Sequence, residues 1–519
     1  TLVFAAGETS QTISVSIVGD ALAESEETFS VTLTEAANAS LDVATAVAVI
    51  QNDDGALRVQ DASLLEGHAG PRSLSFPVSL VAPSILPITV DFTVVGGTAT
   101  AGVDYRALAS GTLSFGPGET TQLIEAEVFG DTIVEGNETF SVVLSNATNA
   151  GVDDATALGT ILNDDVTIRA PRRATFIDVD GDLVTVTTDQ GSFTAENFVL
   201  VPAGTGFQLA LVTIVGEGAF HGANIEISAE RVGAGDGFVH VGAMDARGIG
   251  LAKVVIDGDL GQIDAGSATR SGVLSIEARS LGVFGTATQL PGGGTDSVIT
   301  GTLGKLKLTR DMSGATIDVS KSIRGVSIRG SLLDGAIRAD GQIGHIKIAG
   351  DVRGTAGESS EITARGEETP ASKKEALAIR ALRVGGSLEH ADILAGYDRT
   401  GAATNGAVRI GKVVLGGNWL GSNLVAGAVA GDDGLFGTED DALIPAHNAV
   451  ISRIASVLIK GEVVATQEEA DHFGIVAGEI AAARNGERTI ALAPGPGNDL
   501  HVRAGAAEDV RIMEIEVLV

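Results

Sequence analysis

Apolar and polar residues alternate along many short stretches of this chain. Leu74, Phe76 and Val78 share one face, as do Val90, Phe92 and Val94. Val128, and then Phe140, Val142 and Leu144, continue the pattern. Period two over short segments, with Gly or Pro between them, predicts antiparallel strands packed as a sandwich. Helical patterning is confined to residues 372–382 and 467–473, so the expected class is all-β.

The first repeat has an offset of 111 residues. Thr1-Leu2-Val3-Phe4 and Gly7-Glu8-Thr9 match Thr112-Leu113-Ser114-Phe115 and Gly118-Glu119-Thr120. Asp20 maps to Asp131. Glu24, Glu27, Thr28 and Phe29 map to Glu135, Glu138, Thr139 and Phe140, and Asn52-Asp53-Asp54 maps to Asn163-Asp164-Asp165. Residues 1–54 are thus the C-terminal half of a module that is complete over 55–165. The half copy is expected to expose sheet edges and apolar surface that its missing strands would cover.

A second repeat fills the C-terminal half. An apolar pair two residues apart recurs at Val254/Ile256, Leu274/Ile276, Leu306/Leu308, Val326/Ile328, Ile346/Ile348, Leu382/Val384, Val413/Leu415 and Val457/Ile459. The steps are 20, 32, 20, 20, 36, 31 and 44 residues. Gly follows two residues later in most copies: Gly258, Gly330, Gly350, Gly386, Gly417 and Gly461. Twenty residues reads as one coil of a β-solenoid, or right-handed β-helix, over residues 247–519; a second large sandwich is the alternative. The repeated Gly is expected at a corner with positive φ. Residues 166–246 fit neither period and read as a connecting β region or a solenoid cap.

Composition narrows the functions. The 519 residues suffice for several domains. No cysteine is present, which excludes disulfides and thiol chemistry. Acids outnumber Lys plus Arg by 67 to 34, for a net charge of −33. A polyanion repels nucleic acid and anionic membrane but suits hard cations, which take oxygen ligands. No uncharged apolar run is long enough to span a bilayer. The chain opens inside a repeat, so any signal sequence is expected upstream.

The densest acidic set lies in the complete module: Glu66, Asp104, Asp131, Glu135, Glu138, Asp164 and Asp165. Strand-end carboxylates can converge at one end of a sandwich, where they repel one another unless a cation sits among them. Gly97-Thr98-Ala99, Gly102-Val103-Asp104-Tyr105, Phe115-Gly116-Pro117-Gly118-Glu119, the stretch from Asp131 to Phe140 and Asn163-Asp164-Asp165 resemble the Calx-β motif. That family includes calcium-sensing domains of sodium–calcium exchangers and repeats of integrin and bacterial surface proteins. The resemblance covers residues 1–165. It implies tandem immunoglobulin-like sandwiches that bind calcium at one end. The implied ligands are the seven acids above and, in the half copy, Asp20, Glu24, Glu27, Asp53 and Asp54. Gly130 and Val166 stand where the exchanger pattern has extra acids, which favours one or two ions of modest affinity.

Two further acidic loops stand out. Asp178-Val179-Asp180-Gly181-Asp182 has alternating acids but no downstream Glu, and reads as a hairpin turn. Asp432, Asp433, Asp440 and Asp441 flank two glycines in an insertion between coils and suit calcium, a solvated acidic turn being the alternative.

Catalysis finds little footing. The eight histidines are dispersed without metal-ligand spacing, and neither a Gly-x-Ser-x-Gly elbow nor a phosphate loop occurs. Residues 343–351 and 410–417 resemble repeat regions of large bacterial surface proteins. The expected function is a calcium-binding, extracellular or cell-surface structural or adhesive repeat protein. Calcium rigidifies its module ends, and other surface proteins or polysaccharide are its possible partners. The alternatives are a β-helix polysaccharide-processing enzyme and a carbohydrate-binding surface protein.

Overall fold

In the computed structural model the chain divides into two compact units, residues 1–164 and 165–519. The residues described are all except 20–25, 51–55, 85, 107–109, 134, 205, 217, 269–271, 356, 447–449, 465–472, 500, 501, 505–509 and 516–519.

The first unit begins with an antiparallel pair, β1 (Glu27–Thr32) and β2 (Thr45–Ile50). The half copy is exposed as expected, with Val18 92% and Val47 68% accessible. Nine strands follow: β3 (Ala56–Val59), β4 (Ala62–Leu65), β5 (Gly70–Leu80), β6 (Ile88–Gly96), β7 (Gly111–Phe115), β8 (Thr121–Gly130), β9 (Glu138–Thr148), β10 (Gly151–Asp154) and β11 (Thr156–Leu162). They form two sheets, in the orders β10-β3-β5-β8 and β4-β11-β9-β6-β7. The β10–β3 and β11–β4 pairs are parallel and the rest antiparallel. Alternation explains the packing. Leu74, Phe76 and Val78 from one sheet meet Phe140, Val142 and Leu144 from the other in a single core. Phe76 and Phe140 pack edge to face, 5.7 Å apart.

Among the described residues of the second unit, 33 strands form one hydrogen-bonded system. It opens with antiparallel pairs within residues 167–230 and becomes predominantly parallel from Val241–Arg247 onward. Three parallel ladders then run side by side. The first joins Val273–Leu281, Leu303–Leu308, Ile323–Ile328, Ile343–Ile348, Leu377–Val384, Arg409–Leu415 and Arg453–Ile459. The second begins at Met312–Ser313 and the third at Asp296–Thr300. In the first ladder Ile276, Leu306, Val326, Ile346, Leu382, Val413 and Val457 are in register and buried in one core. Fully burying each such side chain stabilises the fold by about 1.5–3 kcal/mol.

Three sequence expectations need correction. The apolar pair on the second repeat is Ile276/Ala278, because Val254 faces Ile276 and Leu274 is 50% exposed. The repeated glycines are not positive-φ corners. They stack on the preceding repeat's backbone: a Cβ on Gly417 would lie 2.7 Å from the Gly386 carbonyl carbon, and one on Gly461 2.4 Å from the Gly417 oxygen. The helical pattern at 372–382 yields turns and then strand Leu377–Val384, whose alternate residues enter the core. The other helical stretch, 467–473, lies outside the described residues except Phe473, which is in a strand. Among the described residues the one helical element is a single 3-10 turn, Ala195–Asn197.

A short polar residue closes these corners, and from Ser331 to Asn418 it follows a stacked glycine. Asp311 Oδ1 accepts the Ser331 N–H (2.7 Å), and Ser331 Oγ accepts that of Asp351 (3.0 Å). Asp351 Oδ1 then accepts from Ser387 N–H (2.7 Å), and Ser387 Oγ from Asn418 N–H (3.0 Å). Each short polar side chain thus satisfies one backbone donor of the next repeat.

Candidate metal centre

The turn at residues 100–105 carries the first ligand candidate. Gly102 takes φ +88°, and its N–H donates to the Tyr105 oxygen at 2.7 Å. Asp104 N–H donates to the Thr100 oxygen (3.0 Å), while Asp104 Oδ2 accepts the Thr100 N–H (2.6 Å). Tyr105 is buried and its ring stacks on Phe140 at 4.5 Å. Phe140 is two residues along β9 from Glu138, so this stack seats Asp104 beside the start of β9. The chemistry follows from packing: an aromatic anchor fixes a short acidic turn.

The carboxylate oxygens of Asp104, Glu135 and Glu138 lie within 4.8 Å of one another. Asp104 is buried, Glu138 half-buried and Glu135 exposed. Burial, contact with the Asp104 side chain, and the charges of Asp104 and Glu135 push the Glu138 carboxyl up to about 7. The donor set fits a hard divalent cation. Three carboxylates offer up to six oxygens, calcium takes six to eight, and a +2 charge relieves the repulsion.

The other predicted acids lie at neighbouring strand ends but are not members of this trio. The β8 end approaches the β4–β5 connection so closely that a Cβ on Gly130 would sit 2.1 Å from the Gly67 oxygen. That contact leaves no room for a side chain at position 130. Asp131 Oδ1 accepts the Ile133 N–H (2.6 Å), and Asp164 Oδ1 accepts the Gly67 N–H (2.9 Å). Turned so that its nitrogen meets acceptors, the Asn163 amide donates to Glu66 Oε1 (3.0 Å) and the Ile133 oxygen (3.3 Å). Asn163 N–H donates to Asn137 Oδ1 at 3.2 Å. Sequence reasoning missed Asn137 and the amide role of Asn163; their only signal is their place beside Glu138 and Asp164. Asp165 is buried and begins the second unit. In the half copy, Glu27 is exposed at the start of β1, and Asp20, Glu24, Asp53 and Asp54 lie outside the described residues.

In the second unit, Asp178, Asp180 and Asp182 also gather within 4.8 Å. They occupy a hairpin turn, as their sequence predicts. The fully buried Asp182 accepts the Val232 N–H through Oδ1 and the Gly237 N–H through Oδ2, both at 2.6 Å. Asp180 Oδ2 accepts the Asp236 N–H (2.8 Å). These acids clamp the 232–237 turn. Asp432, Asp433, Asp440 and Asp441 do not assemble a comparable trio. Asp433 Oδ1 instead accepts from Leu435 N–H (2.8 Å), Asp440 Oδ1 from the Thr438 hydroxyl (2.6 Å) and Asp441 Oδ2 from Gly437 N–H (2.7 Å).

Among the described residues no helix is long and apolar enough to cross a membrane. No curated protein matches the chain. Among solved structures, the apo-form Calx CBD1 domain is 27% identical over 21% of this chain and 98% of its own, with a TM-score of 0.18. The Calx CBD2 domain is 16% identical over 21% and 88%, with a TM-score of 0.18. The calcium-binding domain CBD12 of CALX1.1 is 22% identical over 25% and 57%, with a TM-score of 0.20. The model of the Calx-beta domain family matches residues 1–54 and 76–166. That match spans the half copy and most of the complete sandwich with its carboxylate trio.

Proposed function

We propose that the chain is a non-catalytic, calcium-braced structural or adhesive protein of the cell exterior. Asp104, Glu135 and Glu138 would hold the ion, and the three-ladder body would act as a β-solenoid spacer. The observation that carries this reading is the convergence of three carboxylates from two loops at the end of a sandwich. The Calx-beta match over the same residues supports calcium as the ion. Calcium neutralises the acids and ties the 100–105 turn to the start of β9. With the ion at 100 times Kd, binding to the folded form adds about 2.7 kcal/mol.

The enzyme alternative gains nothing from the first ladder. The five strands from Leu303–Leu308 to Arg409–Leu415 contain no Asp or Glu, so that face lacks the carboxylate pair of a glycosidase.

Calorimetric calcium titration of the full chain tests the proposal. Wild type should bind with saturable heat, and Asp104→Asn/Glu138→Gln should abolish that binding. Equal isotherms for the two proteins would reject the site.

A further inference from the structure

Half of the chain's Lys and Arg, 17 of 34, fall within residues 303–415. The first ladder concentrates them. Lys305, Lys307, Arg324, Lys347, Arg380, Arg383 and Lys412 are exposed on its five consecutive strands, where no acid occurs. Lys307 pairs with Glu277 on the strand before (3.1 Å). Among the described residues, the other six have no carboxylate within ion-pair distance. Asp311 and Asp351, the acids nearest in sequence to Lys307 and Lys347, cap backbone N–H groups of the following repeat instead.

Register sorts these cations into columns. Lys307, Ser327, Lys347 and Arg383 are aligned across four strands, and Lys305, Gly325, His345, Ala381 and Lys412 across five. In the adjoining column, flanking pairs place Gly344 between Arg324 and Arg380. A Cβ on Gly344 would sit 2.0 Å from the Arg324 oxygen, so the position stays bare. The gap belongs to an open cleft of ≈ 270 Å³ lined by Ser322, Arg324, Gln342, His345 and Arg380 among others. Two guanidinium forks thus flank a slot with hydroxyl, amide and imidazole groups beside it. Such forks match planar carboxylates and tetrahedral oxyanions.

We propose that this face binds an acidic polysaccharide: a linear glycan bearing a carboxylate or sulfate on successive sugars. Adjacent strands lie about 4.8 Å apart, so the cations extend over roughly 19 Å, the reach of a polymer rather than a small anion. Charge complementarity selects a polyanion locally even though the whole chain is acidic. A glycan of low linear charge density suits that balance. Nucleic acid is denser in charge, and the face offers no Phe, Tyr or Trp for base stacking. The proposal is independent of the calcium site, which lies in the other unit.

Affinity electrophoresis of the full chain through gels containing polygalacturonate, chondroitin sulfate or neutral dextran, all with chelator, tests this. Retardation is expected with one or both acidic glycans and not with dextran, and rising salt should abolish it. The two acidic gels distinguish carboxylate from sulfate. Arg324→Glu/Arg380→Glu should weaken binding tenfold or more. The charge-matched Arg172→Glu/Arg173→Glu, outside the ladder, should not. Lys347→Glu/Arg383→Glu serves as a second variant if the first melts below wild type. Migration unaffected by either acidic glycan, equal loss in the control variant, or tighter binding to a single-stranded oligonucleotide than to either glycan would overturn the proposal.

Discussion

At the residue scale, one acidic side chain can brace a backbone or offer itself to an ion, and its surroundings decide which. Asp182 is fully buried, and two backbone N–H groups take its two oxygens. Removing it leaves two donors without their acceptor, at about 1–3 kcal/mol each when buried. Both donors are only partly buried, so Asp182→Ala is expected to lower the stability of the second unit by about 1–3 kcal/mol in total in denaturant unfolding, with or without calcium. A calcium-dependent loss would reassign Asp182 to a metal site. Glu138 is the contrasting case. Its folded value, about 7, lies above the ordinary 4.5. Its contribution to metal-free stability is therefore fullest below pH 4.5 and is lost as pH rises through about 7. Calcium needs the deprotonated form, so the calcium-induced rise in melting temperature should be larger near pH 8 than near pH 5. An equal or smaller rise at the higher pH would show that Glu138 is not a ligand.

At the element scale, much of the fold is legible in the sequence because its periods are physical. The alternation of Leu74, Phe76 and Val78 places three side chains in one core, and in-register pairs such as Val326/Ile328 and Ile346/Ile348 stack in the other. What the periods do not encode is what happens at corners. A glycine admits either a positive φ or close backbone contact, and only the three-dimensional stack distinguishes them. The polar residue after it, in Gly330-Ser331, Gly350-Asp351, Gly386-Ser387 and Gly417-Asn418, carried the missing signal, since all four cap the next repeat. In the sandwich the acidic turn and the start of β9 were recognisable, but the separation of Asp104, Glu135 and Glu138 from Glu66 and Asp131 was not. It depends on the Tyr105–Phe140 stack and on the tight approach of Gly130 to Gly67. The stacked glycines make a direct test. In Gly417→Ala the new methyl would meet the Gly386 backbone at 2.7 Å. Overpacking of this kind costs about 1–3 kcal/mol, and Gly416→Ala meets a Gly385 oxygen at 2.1 Å with a similar expected loss. Gly434→Ala has open space but positive φ, so its cost should be smaller and local. Wild-type melting of Gly417→Ala would show that the column tolerates side chains.

At the scale of the whole molecule, net charge conceals segregation. The total of −33 argues against any polyanion as partner, yet five consecutive ladder strands present cations without an acid. The acidic trio and the basic face also belong to different compact units, each with its own hydrophobic core. Separate cores favour separate melting transitions, because cooperativity follows contiguous burial. Differential scanning calorimetry of the full chain should therefore resolve two transitions. Chelating calcium should lower the one belonging to residues 1–164 and leave the larger one in place, since only the former contains the proposed ion. An acidic glycan, added in chelator, should raise the larger transition alone. A single transition that shifts as a whole with both additions would mean that the two units unfold as one, and that calcium stiffens far more of the chain than the sandwich that holds it.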